Sequence, residues 1–173
     1  HEPGNPNSLS NNNVRAICED DEGYLWIGTY DGLNRFDKAG ERFLHFTHDD
    51  SNPSSLANDY IREIYKDSSG CIWIGTQGGG LDKFITEGSK FIHYIPDPGN
   101  ANSLSGAGVI AVLEDSEGYF WFGTSSGLNK YDPDTGDFTR YRNNRKDPTS
   151  ISNDRILCVY EDRNGTIWAG TYG

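Results

Sequence analysis

Residues 20–29 read DDEGYLWIGT, and this stretch returns three more times along the chain. Residues 67–76 read DSSGCIWIGT, residues 115–124 read DSEGYFWFGT, and residues 162–171 read DRNGTIWAGT. The tryptophans at its centre follow one another at intervals of 47, 48 and 47 residues: Trp26, Trp73, Trp121 and Trp168. A fixed internal period of this length indicates that one structural unit is used four times.

Each copy predicts four short β-strands. The segment before the turn largely alternates apolar and polar residues, as Val14, Arg15 and Ala16 do, although Ile17 interrupts the alternation. In the turn, Asp can bond the backbone two residues on and Gly permits a positive φ, which is hairpin chemistry. The tryptophan segment is rich in aromatic and β-branched residues, as strands are. A third strand is predicted at LNRF, LDKF or LNKY, and a fourth at FLHF, FIHY or FTRY.

Four antiparallel strands in every 47 to 48 residues are typical of a β-propeller blade. The sequence therefore predicts an all-β fold with about three and a half blades, in repeats 7–53, 54–101, 102–148 and an incomplete 149–173. One four-stranded sheet cannot bury both of its faces alone, so neighbouring blades must cover each other. We expect the repeated tryptophan to fill the space between blades, with Trp26, Trp73 and Trp121 mostly buried.

The composition excludes several classes of protein. A net charge of −11 argues against binding to nucleic acid or to anionic lipid. No apolar run approaches the roughly 20 residues that cross a bilayer, so any membrane attachment is expected outside this sequence. No phosphate loop, nucleophile motif or metal triad is present, and neither a cofactor nor a metal is expected. The cysteines fit no disulfide framework or zinc site and are interpreted as small core residues: Cys18, Cys71 and Cys158.

Acidic residues recur at the end of the predicted first strand, as Glu19, Glu114 and Glu161, with Lys66 in the remaining copy. Glycoside hydrolysis needs two carboxyl groups about 5 to 10 Å apart. A position repeated in successive blades faces a different direction in each of them. These residues are therefore interpreted as solvated strand positions and not as a catalytic pair. The histidines of the predicted fourth strands, His45 and His93, are expected on the outer surface.

Candidate ligand-binding residues lie where the copies differ, because repeated positions mainly build the scaffold. In a propeller the first strand lines the central channel, and ligands usually enter at the face where that strand begins. The candidate binding residues at this face are Arg15, Tyr30, Asp31, Tyr60, Arg62 and Gln77. Aromatic rings cover sugar faces, and Arg pairs with carboxylate or sulfate in bidentate geometry. The expected ligand is an oligosaccharide or another small polar molecule.

The pattern SLSxNxVxxIxEDxxGxLWIGTxxGLNRFD resembles the two-component regulator propeller repeat. It is carried by residues 8–37, 55–84 and 103–132, and a fourth copy follows it as far as Thr171. That resemblance implies a ligand-sensing periplasmic region of a bacterial inner-membrane protein, such as a sensor or hybrid histidine kinase. Several members of the family sense glycans. The chain itself is then not an enzyme, and any kinase activity belongs to other sequence. A protein-interaction scaffold is the alternative, and a glycan-active enzyme is the third hypothesis.

Both terminal copies are expected to expose structure that a neighbour would otherwise cover. The last tryptophan strand has an unpaired edge, and each terminal blade has an uncovered apolar face. Edges and faces of this kind promote association. We expect an arc cut from a longer protein, which self-associates through the open propeller ends.

Overall fold

The computed structural model describes all residues from His1 to Gly173. Fourteen β-strands form three four-stranded antiparallel sheets and one two-stranded sheet, each in simple chain order. We call them blades 1 to 4. The prediction of an all-β arc of about three and a half blades is confirmed. The strands are β1 Val14–Glu19, β2 Leu25–Thr29, β3 Leu33–Asp37, β4 Arg42–Phe46, β5 Ile61–Lys66, β6 Ile72–Thr76, β7 Leu81–Ile85, β8 Lys90–Tyr94, β9 Val109–Glu114, β10 Phe120–Thr124, β11 Gly127–Tyr131, β12 Phe138–Tyr141, β13 Ile156–Glu161 and β14 Ile167–Thr171.

The turn between the first two strands of each blade is organised by its aspartate. In blade 2, Asp67 accepts hydrogen bonds from the backbone N–H groups of Ser69 and Cys71, at 3.0 and 2.8 Å, as Gly70 takes a φ of 84°. Its second carboxylate oxygen accepts the indole N–H of Trp73 at 2.8 Å. Although burial opposes ionisation, the hydrogen bonds donated by the Ser69 hydroxyl, the Trp73 indole and the Cys71 N–H lower the pKa of Asp67 below its ordinary value. The same aspartate–indole bond is present in the other three blades, so the turn also orients the tryptophan.

Tryptophan packing between blades follows the prediction in three copies. Trp26, Trp73 and Trp121 are buried, with exposed fractions of 1%, 1% and 8%. Each ring packs against the following blade, as Trp73 does against Phe120 with ring centroids 4.9 Å apart. In blade 4 no further sheet covers the corresponding face, and Trp168 is 61% exposed. Burial of this ring therefore depends on the next blade and not on its own sheet.

The interpretation of the cysteines as small core residues is wrong for Cys71 and Cys158 and holds only in part for Cys18. Cys18 packs against the core between blades 1 and 2 but is only partly buried. Cys71 precedes β6 in the turn, and Cys158 is exposed on the uncovered face of blade 4. The chain has no helix with the length and apolar character needed to span a membrane.

Candidate functional site

The first strands of successive blades, β1, β5, β9 and β13, lie beside one another and form the inner surface of the arc. Each of them contains a register shift near its start, where two residues oppose one on the second strand. Such a β-bulge redirects the extra side chain and is common near binding sites. The extra residues are Arg15, Arg62, Ile110 and Leu157. The bulge also explains why Ile17 interrupts the alternation of the first strand.

Four predicted residues meet at the junction of blades 1 and 2. Tyr30, in the loop after β2, contacts Tyr60, which immediately precedes β5, with ring centroids 4.3 Å apart and planes tilted by 47°. The Arg15 guanidinium carbon lies 5.8 Å from the centre of the Tyr30 ring, and that of Arg62 lies 5.8 Å from the centre of the Tyr60 ring. We call this group the Arg–Tyr cluster. Both guanidinium groups therefore lie on the same face of the propeller segment, the face at which the first strands begin.

The electrostatics of the Arg–Tyr cluster favour negative charge. Hydrogen bonding with Tyr30, together with the positive charges of Arg62 and Arg15, lowers the pKa of Tyr60 below its ordinary value. The same interaction between the phenols raises the pKa of Tyr30. Neither arginine forms an ion pair with a carboxylate. Arg62 Nε is shielded from solvent and has no acceptor within the chain. A buried donor without a partner is uncommon in folded proteins and is often found at functional sites.

The other two predicted residues are less closely connected to the cluster. The backbone N–H of Gln77 donates to the carbonyl oxygen of Tyr60 at 2.9 Å, which places Gln77 at the same end of blade 2. Asp31 follows Tyr30 but lines a separate groove with His45 and the N-terminal segment. No hydrogen bond or ion pair joins Asp31 to either arginine, so Asp31 is not part of the cluster.

Sequence reasoning missed a second pair of the same kind in blade 4. The Arg155 guanidinium carbon lies 4.9 Å from the centre of the Tyr172 ring, and the Tyr172 N–H donates to the Arg155 carbonyl oxygen at 2.9 Å. Arg155 occupies the repeat position of Tyr60, and Tyr172 that of Tyr30. Extending the two variable series to the fourth copy would have found both residues.

A groove of about 390 Å³ in blade 2 was also missed. It lies between the loop that enters the blade and Gly78-Gly79, where the loop after β6 is one residue longer than in blades 1 and 3. His93 in its wall is half-buried, and its Nδ1 lies 2.6 Å from the fully buried Asp82 carboxylate. This hydrogen bond raises the pKa of His93 above its ordinary value. His93 lies on the outer strand β8, as expected, but it is half-buried in the groove wall, whereas His45 is exposed.

The recurring acids also have a structural contact that the sequence did not reveal. Glu114 accepts hydrogen bonds at 2.6 Å from the backbone N–H and the hydroxyl of Ser68, in the turn of the preceding blade. Glu161 accepts the corresponding bonds from Ser116. Glu114 and Glu161 thus link neighbouring blades, and their interpretation as simply solvated residues is wrong, whereas Glu19 is exposed. No group of three or more His, Cys, Asp or Glu side chains is placed to hold a metal ion.

Comparison with known families identifies the repeat. A profile described as two component regulator propeller matches residues 8–31, 55–78, 103–126 and 150–173, which together exceed half of the chain. The chain belongs to this family. The matched spans contain both the turn that orients the tryptophan and the inner strand with its bulge. The family therefore shares the scaffold from which this propeller segment presents the Arg–Tyr cluster.

Solved structures similar to this propeller segment include extracellular domains of bacterial signalling proteins. One is assigned to a hybrid two component system from B. thetaiotaomicron, with 30% identity and a TM-score of 0.83 over 94% of this chain and 22% of that chain. Another is assigned to a one component system from the same organism, with 24% identity and a TM-score of 0.73 over 94% and 21%. The propeller segment thus spans about a fifth of these relatives.

More distant similarity shows the fold alone. Virginiamycin B lyase from Staphylococcus aureus has 16% identity and a TM-score of 0.61 over 95% of this chain and 58% of that chain. A search of curated proteins finds no match.

Proposed function

We propose that this chain is a ligand-recognising segment of the periplasmic sensor region of a membrane-anchored two-component regulator. The family match and the similarity to extracellular signalling domains support this setting. In this proposal the segment is not catalytic, and phosphotransfer belongs to other domains of the regulator. Its ligand is polyhydroxylated and negatively charged, and an acidic oligosaccharide is the class that fits best.

One observation supports this choice of ligand. Two arginines without carboxylate partners flank a pair of tyrosine rings at the junction of blades 1 and 2. Guanidinium groups bind carboxylate or sulfate through paired hydrogen bonds. The aromatic rings offer apolar surface to the C–H face of a sugar. In a chain with a net charge of −11, this is a local concentration of positive charge and not part of a general basic surface.

The position of the Arg–Tyr cluster between two blades offers a mechanism for signalling. Arg15 and Tyr30 belong to blade 1, whereas Tyr60 and Arg62 belong to blade 2. A ligand that contacts both pairs would stabilise one relative position of the two blades. Ligand binding can shift a conformational equilibrium only by its difference in affinity for the two states, and an interblade site provides such a difference.

A glycan array that contains matched acidic and neutral oligosaccharides tests the proposal. The chain should bind acidic members, and Arg15→Ala or Arg62→Ala should each weaken binding by about 1.5–3 kcal/mol, the range for hydrogen bonds to charged groups. Arg145→Ala is the matched control, because Arg145 is exposed in a turn of the segment that joins blades 3 and 4. An array without acidic hits, or hits that both cluster variants leave unchanged, would exclude this function.

A further inference from the structure

Blade 3 differs from its neighbours at the face where the first strands begin. The three residues before the first strand are NDY at 58–60 in blade 2 and NDR at 153–155 in blade 4, but GAG at 106–108 in blade 3. After the second strand, blade 3 has Ser125 and Ser126 where blade 4 has a tyrosine. No side chain larger than serine therefore stands at this part of blade 3. We call the five residues 106–108, Ser125 and Ser126 the notch.

The hydrogen bonding of the scaffold is adjusted to the notch. In blade 2 the Asp59 carboxylate accepts the backbone N–H of His48 at 2.6 Å, and the equivalent bond is present in blade 4. In blade 3 the position of His48 is taken by Pro96, which has no N–H, and that of Asp59 by Ala107. The Ala107 carbonyl oxygen still accepts the Gly80 N–H at 2.9 Å. Loss of the aspartate thus leaves no backbone donor unpaired.

Positive charge lies on both sides of the notch and not within it. The first strand of blade 3, β9, lies directly between β5 and β13, and its bulge residue is Ile110 where blade 2 has Arg62. Arg62 therefore lies on the blade 2 side, with its buried Nε lacking an acceptor. Arg155 lies on the blade 4 side and forms no ion pair.

The arginine of blade 4 is held by its own blade. The Arg155 guanidinium carbon lies 4.9 Å from the centre of the Tyr172 ring, and the two residues also share a backbone hydrogen bond. The adjacent Asp154 carboxylate accepts the Asn143 N–H at 2.6 Å and does not pair with Arg155. This arginine–tyrosine pair therefore has the same free charge and aromatic surface as the pairs of the Arg–Tyr cluster.

We infer that the ligand of the Arg–Tyr cluster is an extended oligosaccharide with at least two acidic groups, one bound by Arg15 and Arg62 and the other by Arg155, and that the sugar between them crosses the notch. This inference rests on the proposed function and adds a second anionic subsite to it. A ligand with a single acidic group needs only the cluster and leaves Arg155 unused. The Ser125 and Ser126 hydroxyls offer hydrogen bonds to an uncharged, hydroxylated middle unit.

Calorimetric titration with oligogalacturonates of increasing length, and with sulfated oligosaccharides of the same lengths, tests the second subsite. Affinity should rise about tenfold or more at the length that first reaches both arginine groups, because linked contacts reinforce each other. Arg155→Ala should remove this rise and leave the affinity for the short members unchanged. Arg62→Ala should weaken binding at every length, since it removes part of the first subsite.

Filling the notch provides an independent variant. Gly108→Tyr introduces the residue that blade 2 has at this position; Gly108 has no positive φ, and an added β-carbon would meet first the Ser125 hydroxyl, at 3.2 Å. The variant should lose the gain with length and keep the binding of short members. Asn164→Tyr is the matched control, because it adds the same ring in an exposed turn at the other end of β13.

The possible outcomes separate the second subsite from the proposed function. Affinity that does not depend on ligand length, or a gain with length that Arg155→Ala leaves intact, overturns the second subsite. The proposed function survives in that case if Arg62→Ala still weakens binding. Absence of binding by every member of both series overturns the proposed function and the second subsite together.

Discussion

Tryptophan burial by the following blade can be measured with one substitution made at two equivalent positions. Trp73 is 1% exposed, and Trp168, in the same motif, is 61% exposed. A tryptophan side chain can bury about 150–250 Å², which at about 25 cal/mol per Å² corresponds to roughly 4–6 kcal/mol when burial is complete. The same area scaled to the buried part of Trp168 gives roughly 1.5–2.5 kcal/mol. Trp73→Ala should therefore destabilise the chain by about 3 kcal/mol more than Trp168→Ala does.

The assay is urea unfolding followed by far-ultraviolet circular dichroism, which does not depend on the tryptophan that is removed. Both variants are compared at a concentration at which the chain is monomeric, so that association does not cover Trp168. Each variant also loses one aspartate–indole hydrogen bond, and because this bond is buried at Trp73 but exposed at Trp168, its loss adds to the expected difference. Equal losses of stability at the two positions would instead show that the tryptophan is stabilised mainly within its own blade and not by the following one.

Two further predictions concern the hydrogen bonds of blade 2. Asp67→Asn should cost about 1–3 kcal/mol of stability, since an amide nitrogen turned toward Trp73 leaves the indole N–H unpaired; urea unfolding checks this, and an unchanged midpoint would contradict it. The raised pKa of His93 means that its contribution is complete below its unfolded value of about 6.5 and is lost as pH rises through the higher folded value. Burial raises the pKa of Asp82 above its unfolded value of about 3.9, so the effect of Asp82 on stability begins at more acid pH than that of His93. Stability should therefore fall as pH rises above about 6.5, and His93→Gln should flatten that profile; a slope of the opposite sign would refute the assignment.

Much of the scaffold could be predicted because its determinants are local and repeated. The Asp–Gly turn and the aromatic strand recur in every copy, so one pattern gives four hairpins. The β-bulge could not be predicted from the sequence, since Ile17 looks like a simple break in the apolar–polar alternation until the pairing register of β1 with β2 is known. The same applies to the bond between Asp67 and the Trp73 indole, which joins residues that are six positions apart but whose geometry depends on the turn.

Most contacts between blades could not be predicted from the sequence. Ser68 and Glu114 are 46 residues apart, and only the stacking of blades brings them together. Trp168 has the same sequence context as Trp73 but a different environment, because burial depends on a neighbouring sheet. The Arg–Tyr cluster was predicted as a set of variable positions, and the contact between Tyr30 and Tyr60 follows from the junction of two blades.

Recognition of an acidic sugar by the charge of the Arg–Tyr cluster can be measured with one pair of titrations. Isothermal titration calorimetry would compare an acidic oligosaccharide with its carboxyl-reduced neutral analogue, against the unaltered chain and against Arg62→Ala. The unaltered chain should prefer the acidic ligand by about 1.5–3 kcal/mol, and the variant should lose most of that preference. Retention of the full preference by Arg62→Ala, or equal binding of both ligands by the unaltered chain, would contradict the claim.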